Sequence, residues 1–330
     1  MGKQAQAGIF VTGGSGFIGG ALIERLRSEF RVRAMARSEP AVQAVVARGA
    51  EPVRCSLADL TPTHIKEAAV VIHCAALVAE WAPPGHFADA NIAGTVRALE
   101  AAQGAGVRKF IHMSTDSVLV TGRPLRGVDE TMPLPTRSPF EYAQTKAEAE
   151  RKVLAANNPG QFETIVIRPT FVWGPGDTTI LPEIKSMVDR GRFVWIGGGK
   201  NIISTTHIEN LVHGIRSAIA FPRGRESFFI TDDVPQNLRR FLTRYSAAAG
   251  IELPDKSVPS LPVKAAAFLI EAVSRAISPS RKPPLTRFAV FSLATDYWVQ
   301  SDKAREMLGY VPIVSIDEGL ASLSKASRTP

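Results

Sequence analysis

The sequence predicts a doubly wound α/β fold: a parallel sheet with helices on both faces, followed by a smaller C-terminal lobe. Three observations predict it. Strand-like and helix-like segments alternate through the first half of the chain. The first strand breaks into a glycine-rich turn that opens a helix. Beyond Thr170 the alternation loosens into short elements punctuated by Gly and Pro. Alternation of this kind builds a parallel sheet wrapped on both sides. The division falls near residue 170, giving a core over 1–170 and a lobe over 171–330, with some segments of the lobe returning to the core.

The elements follow in order. Ile9 to Val11 is an apolar run of buried-strand character, and Ala21–Leu26 has helical spacing. Between them lie two overlapping patterns, Gly14-x-Gly16-x-x-Gly19 and Thr12-Gly13-x-x-Gly16-x-x-Gly19. A strand, a tight glycine turn and a helix N-terminus make a phosphate site: backbone comes close, and free N–H groups with the helix dipole favour negative charge. Arg31–Ala36 reads as a second strand, Ala41–Arg48 as a helix, Pro52–Arg54 as a third strand and Val70–His73 as a fourth. A long helix is expected over about 86–103, ended by Gly104 and Gly106. Lys109–Met113 is a fifth strand, Pro139–Asn157 a helix rich in small residues, and Thr164–Ile167 a sixth strand halted by Pro169.

Composition narrows the function. The chain of 330 residues is 45% apolar and 21% charged, ordinary for a globular protein. A net charge of +8 invites a nucleic-acid reading, but the 39 Lys and Arg are scattered among 31 acids without a basic block. Solvated surface charge with some attraction for an anionic cofactor fits better. Two cysteines, Cys55 and Cys74, and six scattered histidines form no metal-ligand pattern and no disulfide framework. A reducing, cytoplasmic setting is expected. Residues 1–7 lack the apolar core of a signal peptide, and no segment has the length of a membrane span.

Two further patterns carry chemistry. In Tyr142-Ala143-Gln144-Thr145-Lys146 a phenol and an ammonium four residues apart share one helix face. A free phenol titrates near pH ~10, and a nearby cation lowers that. Such a pair also occurs as plain helix decoration. In His112-Met113-Ser114-Thr115-Asp116-Ser117-Val118 a strand ends in hydroxyls, at the sheet edge where ligands sit, and a hydroxyl there can steady a developing oxyanion. Strand-end hydroxyls also serve as caps. A serine hydrolase is excluded: the G-x-S-x-G pattern fails because Phe17 occupies the last glycine position.

Taken in order, these motifs resemble the extended short-chain dehydrogenase/reductase family, whose core is a Rossmann fold. The turn matches its TGxxGxxG, Ile72-His73-Cys74-Ala75-Ala76 its HxAA segment, and Asn91-Ile92-Ala93-Gly94-Thr95 its N-x-x-G-T helix motif. The strand-end hydroxyls, the YxxxK pair, the Arg168–Gly176 segment and His207-Ile208-Glu209-Asn210 match in sequence order. Within the family the chain is most similar to the 3β-hydroxysteroid dehydrogenase and 2-alkyl-3-ketoalkanoate reductase branch, through Trp81, Lys282–Arg287, Lys303–Tyr310 and Glu318–Leu320.

The resemblance implies roles. Tyr142 is the acid/base on the substrate oxygen. Lys146 binds the nicotinamide ribose and lowers the phenol's pKa. Thr115 orients the carbonyl, with Ser114 as the fallback. Gly13, Gly16, Phe17, Ile18, Gly19, Arg37, Ser56, Leu57, Cys74, Ala75, Ala76, Pro169 and Val172 line the cofactor. Trp81, Phe171 and Trp173 face a small, largely apolar substrate of sterol or β-keto acyl type. The family's Asp-Leu after the third strand is Ser56-Leu57 here, so a charged acceptor for adenine is missing. At the end of the second strand Arg37 stands where an NAD enzyme places an acid, which favours NADP(H) over NAD(H), although Glu39 is close by. The stretch Val263–Val273 resembles a helix that this branch uses as a substrate lid or membrane contact, and the basic residues after Glu271 suit an anionic surface. Its simpler reading is a helix packed on its own protein. A homodimer is compatible with the family. Two alternatives share the fold: a nucleotide-sugar epimerase or dehydratase, and a non-catalytic dinucleotide-binding regulator.

Overall fold

The computed structural model describes residues 7–326. Seven strands form one all-parallel sheet: β1 (Gly8–Thr12), β2 (Arg31–Met35), β3 (Glu51–Val53), β4 (Ala68–His73), β5 (Lys109–Met113), β6 (Glu163–Pro169) and β7 (Glu226–Ile230). Their spatial order is β7-β6-β5-β4-β1-β2-β3. The direction of winding reverses between β1 and β4, so a crevice opens at the carboxyl ends of those two strands. β7 lies well past residue 170 in sequence and pairs in parallel with β6.

Alternation along β1 shows how the sheet is covered. Ile9 and Val11 join one apolar layer, with α1 (Phe17–Leu26), whereas Phe10 points into the other layer. The first layer also takes α2 (Glu39–Ala47), and the second takes α3 (Gly94–Gly104) and the far end of α4 (Glu141–Ala155). The long helix expected over 86–103 is not uniform. Ala88–Ala93 is a π-helical turn that leads into α3. Its cause is Asn91, whose side chain clasps the Leu77 backbone from both sides, Leu77 N–H to Oδ1 at 2.7 Å and Nδ2–H to Leu77 O at 3.2 Å. An inserted π turn aims that side chain inward.

Beyond the core run α5 (Ile180–Asp189), α6 (Ile208–Ala220), α7 (Leu238–Ala248), α8 (Ser260–Ile277), α9 (Arg287–Ala294), α10 (Asp302–Leu308) and α11 (Ile316–Ala326). α6 and α10 return to the first apolar layer, whereas α5, α7 and α11 enclose a separate core around Trp173, Phe241 and Tyr245. Asp232 stitches that core to the sheet. It accepts from Trp173 Nε1, Thr205 Oγ1, His207 N and Asn210 Nδ2 within 2.8 Å. Asn210 in turn accepts from the backbone of Ile313 and Val314 at 2.9 Å. The His207–Asn210 motif therefore ties the second core to Asp232 and to the Ile313–Val314 backbone.

α4 is fixed to the sheet by a buried charge network. Glu150 is fully buried, accepts from Arg168 Nε at 3.0 Å and Nη2 at 2.5 Å, and takes Ser114 Oγ–H at 2.6 Å. Arg168 also lies over the Phe229 ring of β7. One ion pair thus ties α4 to β5, β6 and β7. Breaking such a pair from one side leaves a buried charge, which costs about 3–5 kcal/mol. Glu150→Leu should lower stability in urea denaturation by that amount; a loss below about 1 kcal/mol would show that the pair is not holding the helix.

Candidate active site

The turn after β1 assigns each glycine a different job. Gly13 has φ +70°, and a Cβ there would lie 2.9 Å from Ala75 N, so only glycine lets the turn abut the end of β4. A Cβ at Gly19 would sit 2.2 Å from Gly13 O, so the first turn of α1 needs this gap to approach the loop. Gly16 differs. Its backbone is ordinary, φ −78° and ψ 177°, and a Cβ would meet only Gly13 O, at 3.4 Å. The N-terminus of α1 carries no side-chain cap and no acid in its first turn. Free N–H groups, an uncapped dipole and open space above Gly16 fit a pyrophosphate. Phe17 and Ile18 are half-buried in that first turn, and Gly176 approaches the Phe17 ring from the segment that follows β6.

A directed hydrogen-bond chain holds the turn against β4. Ala75 N–H donates to Thr12 Oγ1 at 3.0 Å, and Thr12 contacts His73 Nδ1 at 2.8 Å. On the other side His73 Nε2 meets Thr95 Oγ1 at 3.0 Å, and Thr95 donates to Asn91 O at 2.7 Å. The Thr95 proton goes to Asn91 O, so Thr95 accepts from His73 Nε2–H, and with the ring neutral Nδ1 accepts from Thr12. His73 therefore carries its proton on Nε2; burial, with the Lys146 charge, pushes its pKa down to about 3. Three separate sequence motifs are one structural relay. Cys74 is not a nucleophile here, since burial pushes its thiol up to about 12.

Just past β2, Arg37 is exposed and makes no hydrogen bond or ion pair among the described residues. The nearby acid Glu39 is engaged by Arg54 at 2.9 Å. Ser56 donates through its N–H and Oγ–H to Asp59 Oδ1, and Leu57 packs against the Cβ-less side of Gly94.

The chemistry-bearing residues meet where β5 ends beside α4. Tyr142 and Lys146 share the inner face of α4, as their spacing requires. The Thr115 hydroxyl faces the Tyr142 phenol and favours its ionised form, but burial and the Asp116 carboxylate outweigh this and raise the phenol's pKa. Lys146 is held by the end of β5. Its ammonium donates to Met113 O at 2.6 Å and lies 3.4 Å from His112 Nε2, so its charge is directed at the strand end and not at the phenol. Burial pushes Lys146 down to about 8. Ser114 is turned away into the Glu150 network, whereas Thr115 faces Tyr142. Phe87 and Phe288 flank the phenol, with ring centroids 6.4 and 6.0 Å away.

The three residues expected to face substrate each have packing or hydrogen-bond partners within the protein. Trp173 is wholly buried in the second core, its N–H spent on Asp232 and its ring edge-on to Phe241 and Tyr245, so it is a packing residue. Phe171 packs edge-on against the same two rings. Trp81 donates to Pro279 O at 2.9 Å beneath the Arg275 guanidinium, which makes it a clasp between the β4 loop and the end of α8. Pro169 ends β6, and Val172 lies in the short strand Phe171–Trp173, paired with Thr205–His207. Sequence reasoning missed Phe87, Phe288, His112 and Tyr297. Asp116 follows the strand-end hydroxyls directly, and an acid in that position was the available signal.

The model of the 3-beta hydroxysteroid dehydrogenase/isomerase family matches residues 10–263. The chain belongs to that family. It is an oxidoreductase of the extended short-chain dehydrogenase/reductase type, acting on CH–OH groups. Among its relatives is the 4-hydroxy-2-methyl-3-oxo-4-farnesyl-3,4-dihydroquinoline-1-oxide ketoreductase of Stigmatella aurantiaca, 40% identical over 96% of both chains. Another is the 2-alkyl-3-oxoalkanoate reductase of Stenotrophomonas maltophilia, 32% identical over 97% of this chain and 99% of that one. The fold is shared with the UDP-glucuronic acid 4-epimerase of Bacillus cereus, solved with NAD: TM-score 0.74, 19% identity, covering 97% of this chain and 98% of that one.

Because Gly16 is unstrained and unobstructed, Gly16→Val separates binding from folding. Thermal stability should stay close to wild type, while calorimetric affinity for the reduced cofactor falls at least about tenfold. Unchanged affinity would place the pyrophosphate elsewhere.

Proposed function

We propose that this protein is a ketoreductase that prefers NADP(H) and acts on a ketone carried by an alkyl, prenyl or polycyclic skeleton. The observation that carries the reading is the meeting of the Tyr142 phenol and the Thr115 hydroxyl at the end of β5, between the Phe87 and Phe288 rings. The aromatic walls suit an apolar skeleton, and two relatives bear reductase names with such substrates. In this reading Thr115 positions the carbonyl oxygen, Tyr142 gives it a proton on reduction, and Lys146 binds the ribose of the nicotinamide. When bound, the cofactor supplies or accepts the hydride. A protonated phenol is the form that reduction requires, and burial with Asp116 keeps it so. Tyr142→Phe should cut turnover by about 100-fold or more while the reduced cofactor still binds; near-wild-type turnover would rule out this acid.

The preference for the phosphorylated cofactor rests on Arg37, whose guanidinium is free while Glu39 is held by Arg54. Initial rates should be at least about tenfold higher with NADPH than NADH, and Arg37→Glu should reverse the order. Equal rates in the wild type would remove the preference.

A lipid surface is the second partner we infer. Leu261, Phe268, Leu269, Val273 and Ile277 of α8 are each more than half exposed, and only Ala267 of that helix is buried. The exposed face is apolar and is followed by Arg281 and Lys282. Such a helix lies in an anionic interface without crossing it; no helix among the described residues is long and apolar enough to cross a membrane. The protein should float with vesicles containing phosphatidylglycerol, and a Phe268→Asp, Leu269→Asp variant should not. Wild-type protein left at the bottom of the gradient would exclude the surface.

A further inference from the structure

Asp116 stands at the reacting end of β5 without a task in the chemistry above. It is buried, in the 3-10 turn Asp116–Leu119, and its neighbours come from three elements. Thr115 Oγ1–H donates to Asp116 Oδ1 at 3.0 Å, and Ser117 Oγ–H approaches the same oxygen at 3.4 Å. The Tyr142 phenol of α4 and the Tyr297 phenol of the short strand Tyr297–Val299 both feel its charge, which raises their pKa values. No ion pair reaches Asp116 among the described residues. The ammonium within α4, Lys146, is spent on Met113 O, and His112 and His73 are kept neutral by burial. From α9, Phe288 covers the phenol while Arg287 lies over Phe140 and Phe268.

A carboxylate held only by neutral donors, hydroxyls and the Ser117 N–H, in a buried site titrates high, and burial pushes Asp116 up to about 6. Two consequences follow from the geometry. With Asp116 ionised, the single Thr115 proton points at the carboxylate, so Thr115 can accept from Tyr142 but has nothing to give a ketone. With Asp116 protonated, the carboxyl O–H can donate to Thr115 Oγ1 and free the Thr115 proton for the substrate oxygen. The ionised carboxylate has a second effect: its negative charge beside Tyr142 disfavours phenolate and keeps the phenol protonated, and this effect is lost when the carboxylate is neutralised.

We propose that Asp116 is a positioning residue whose protonation state sets the direction of the Thr115 hydroxyl, toward the carboxylate when ionised and toward the substrate oxygen when neutral. The inference rests on the reductase reading. Proton flow is unchanged in kind: the ketone carbon gains the hydride, its oxygen gains the Tyr142 proton, and the phenolate is reprotonated from solvent. Below the Asp116 pKa reduction is helped by Thr115; above it, that help is withdrawn.

The coupling can be read without any substrate. The chain has four tyrosines, so protein labelled with 13C at tyrosine Cζ gives a spectrum in which Tyr142→Phe assigns the signal. In wild type the Tyr142 signal should step with a midpoint near pH 6, the step should vanish in Asp116→Asn, and Asp116→Glu should retain it. With NADPH and a long-chain 2-alkyl-3-oxo ester as probe, kcat/KM for reduction should rise as pH falls through 6 in wild type and stay flat in Asp116→Asn. A flat Tyr142 signal in wild type, or a step that survives in Asp116→Asn, overturns the proposal. A normal step with no consumption of NADPH would instead fault the reductase reading.

Discussion

The buried pair of Glu150 and Arg168 is the constraint on which the site depends. α4 carries Tyr142 and Lys146, but a helix packed only by apolar contacts can slide or roll on a sheet. Glu150 prevents this by taking hydrogen bonds from Arg168 on β6 and Ser114 on β5. The same bond that turns Ser114 away from the cleft leaves Thr115 facing Tyr142. A structural charge network thus selects which of two adjacent hydroxyls meets the phenol. Buried ion pairs of this kind add little net stability, but removing one partner is costly, which suits a role in register.

A second constraint joins the cofactor cradle to this frame. The turn after β1 and the end of β4 touch through Gly13 and Ala75, and the Thr12–His73–Thr95–Asn91 relay fixes their separation. Asn91 continues the relay to α4 through Thr145 Oγ1, at 3.3 Å. The turn after β1 and the Tyr142 helix are therefore braced by one connected polar network. Its one titratable member, His73, is kept neutral by burial, so the network positions both elements without adding charge.

Much of this was legible in the residues, for physical reasons that differ by element. The strand–turn–helix at the N-terminus and the fifth strand ending in hydroxyls announce themselves because local sequence and local structure agree there. The i, i+4 spacing placed Tyr142 and Lys146 on one face correctly, but spacing along a helix cannot say what a flexible lysine reaches, and it reaches Met113 O. The π turn at Ala88–Ala93 was hidden because Asn91 acts on Leu77 across a loop. Trp173 was misplaced because an aromatic after the last core strand looks alike whether it faces a ligand or a second core. Tyr297 and Phe288 had no local signal at all, since only the return of the C-terminal elements brings them to Tyr142.

The most direct test of the reductase assignment is the stoichiometry of cofactor use. Purified protein with NADPH should be offered an apolar 2-alkyl-3-oxo ester and, separately, a UDP-sugar, with nicotinamide absorbance followed to completion. Oxidation of one NADPH per ketone consumed, and none with the sugar, is the expected result. An epimerase or dehydratase returns its hydride, so conversion of the sugar without net change in absorbance would contradict the assignment.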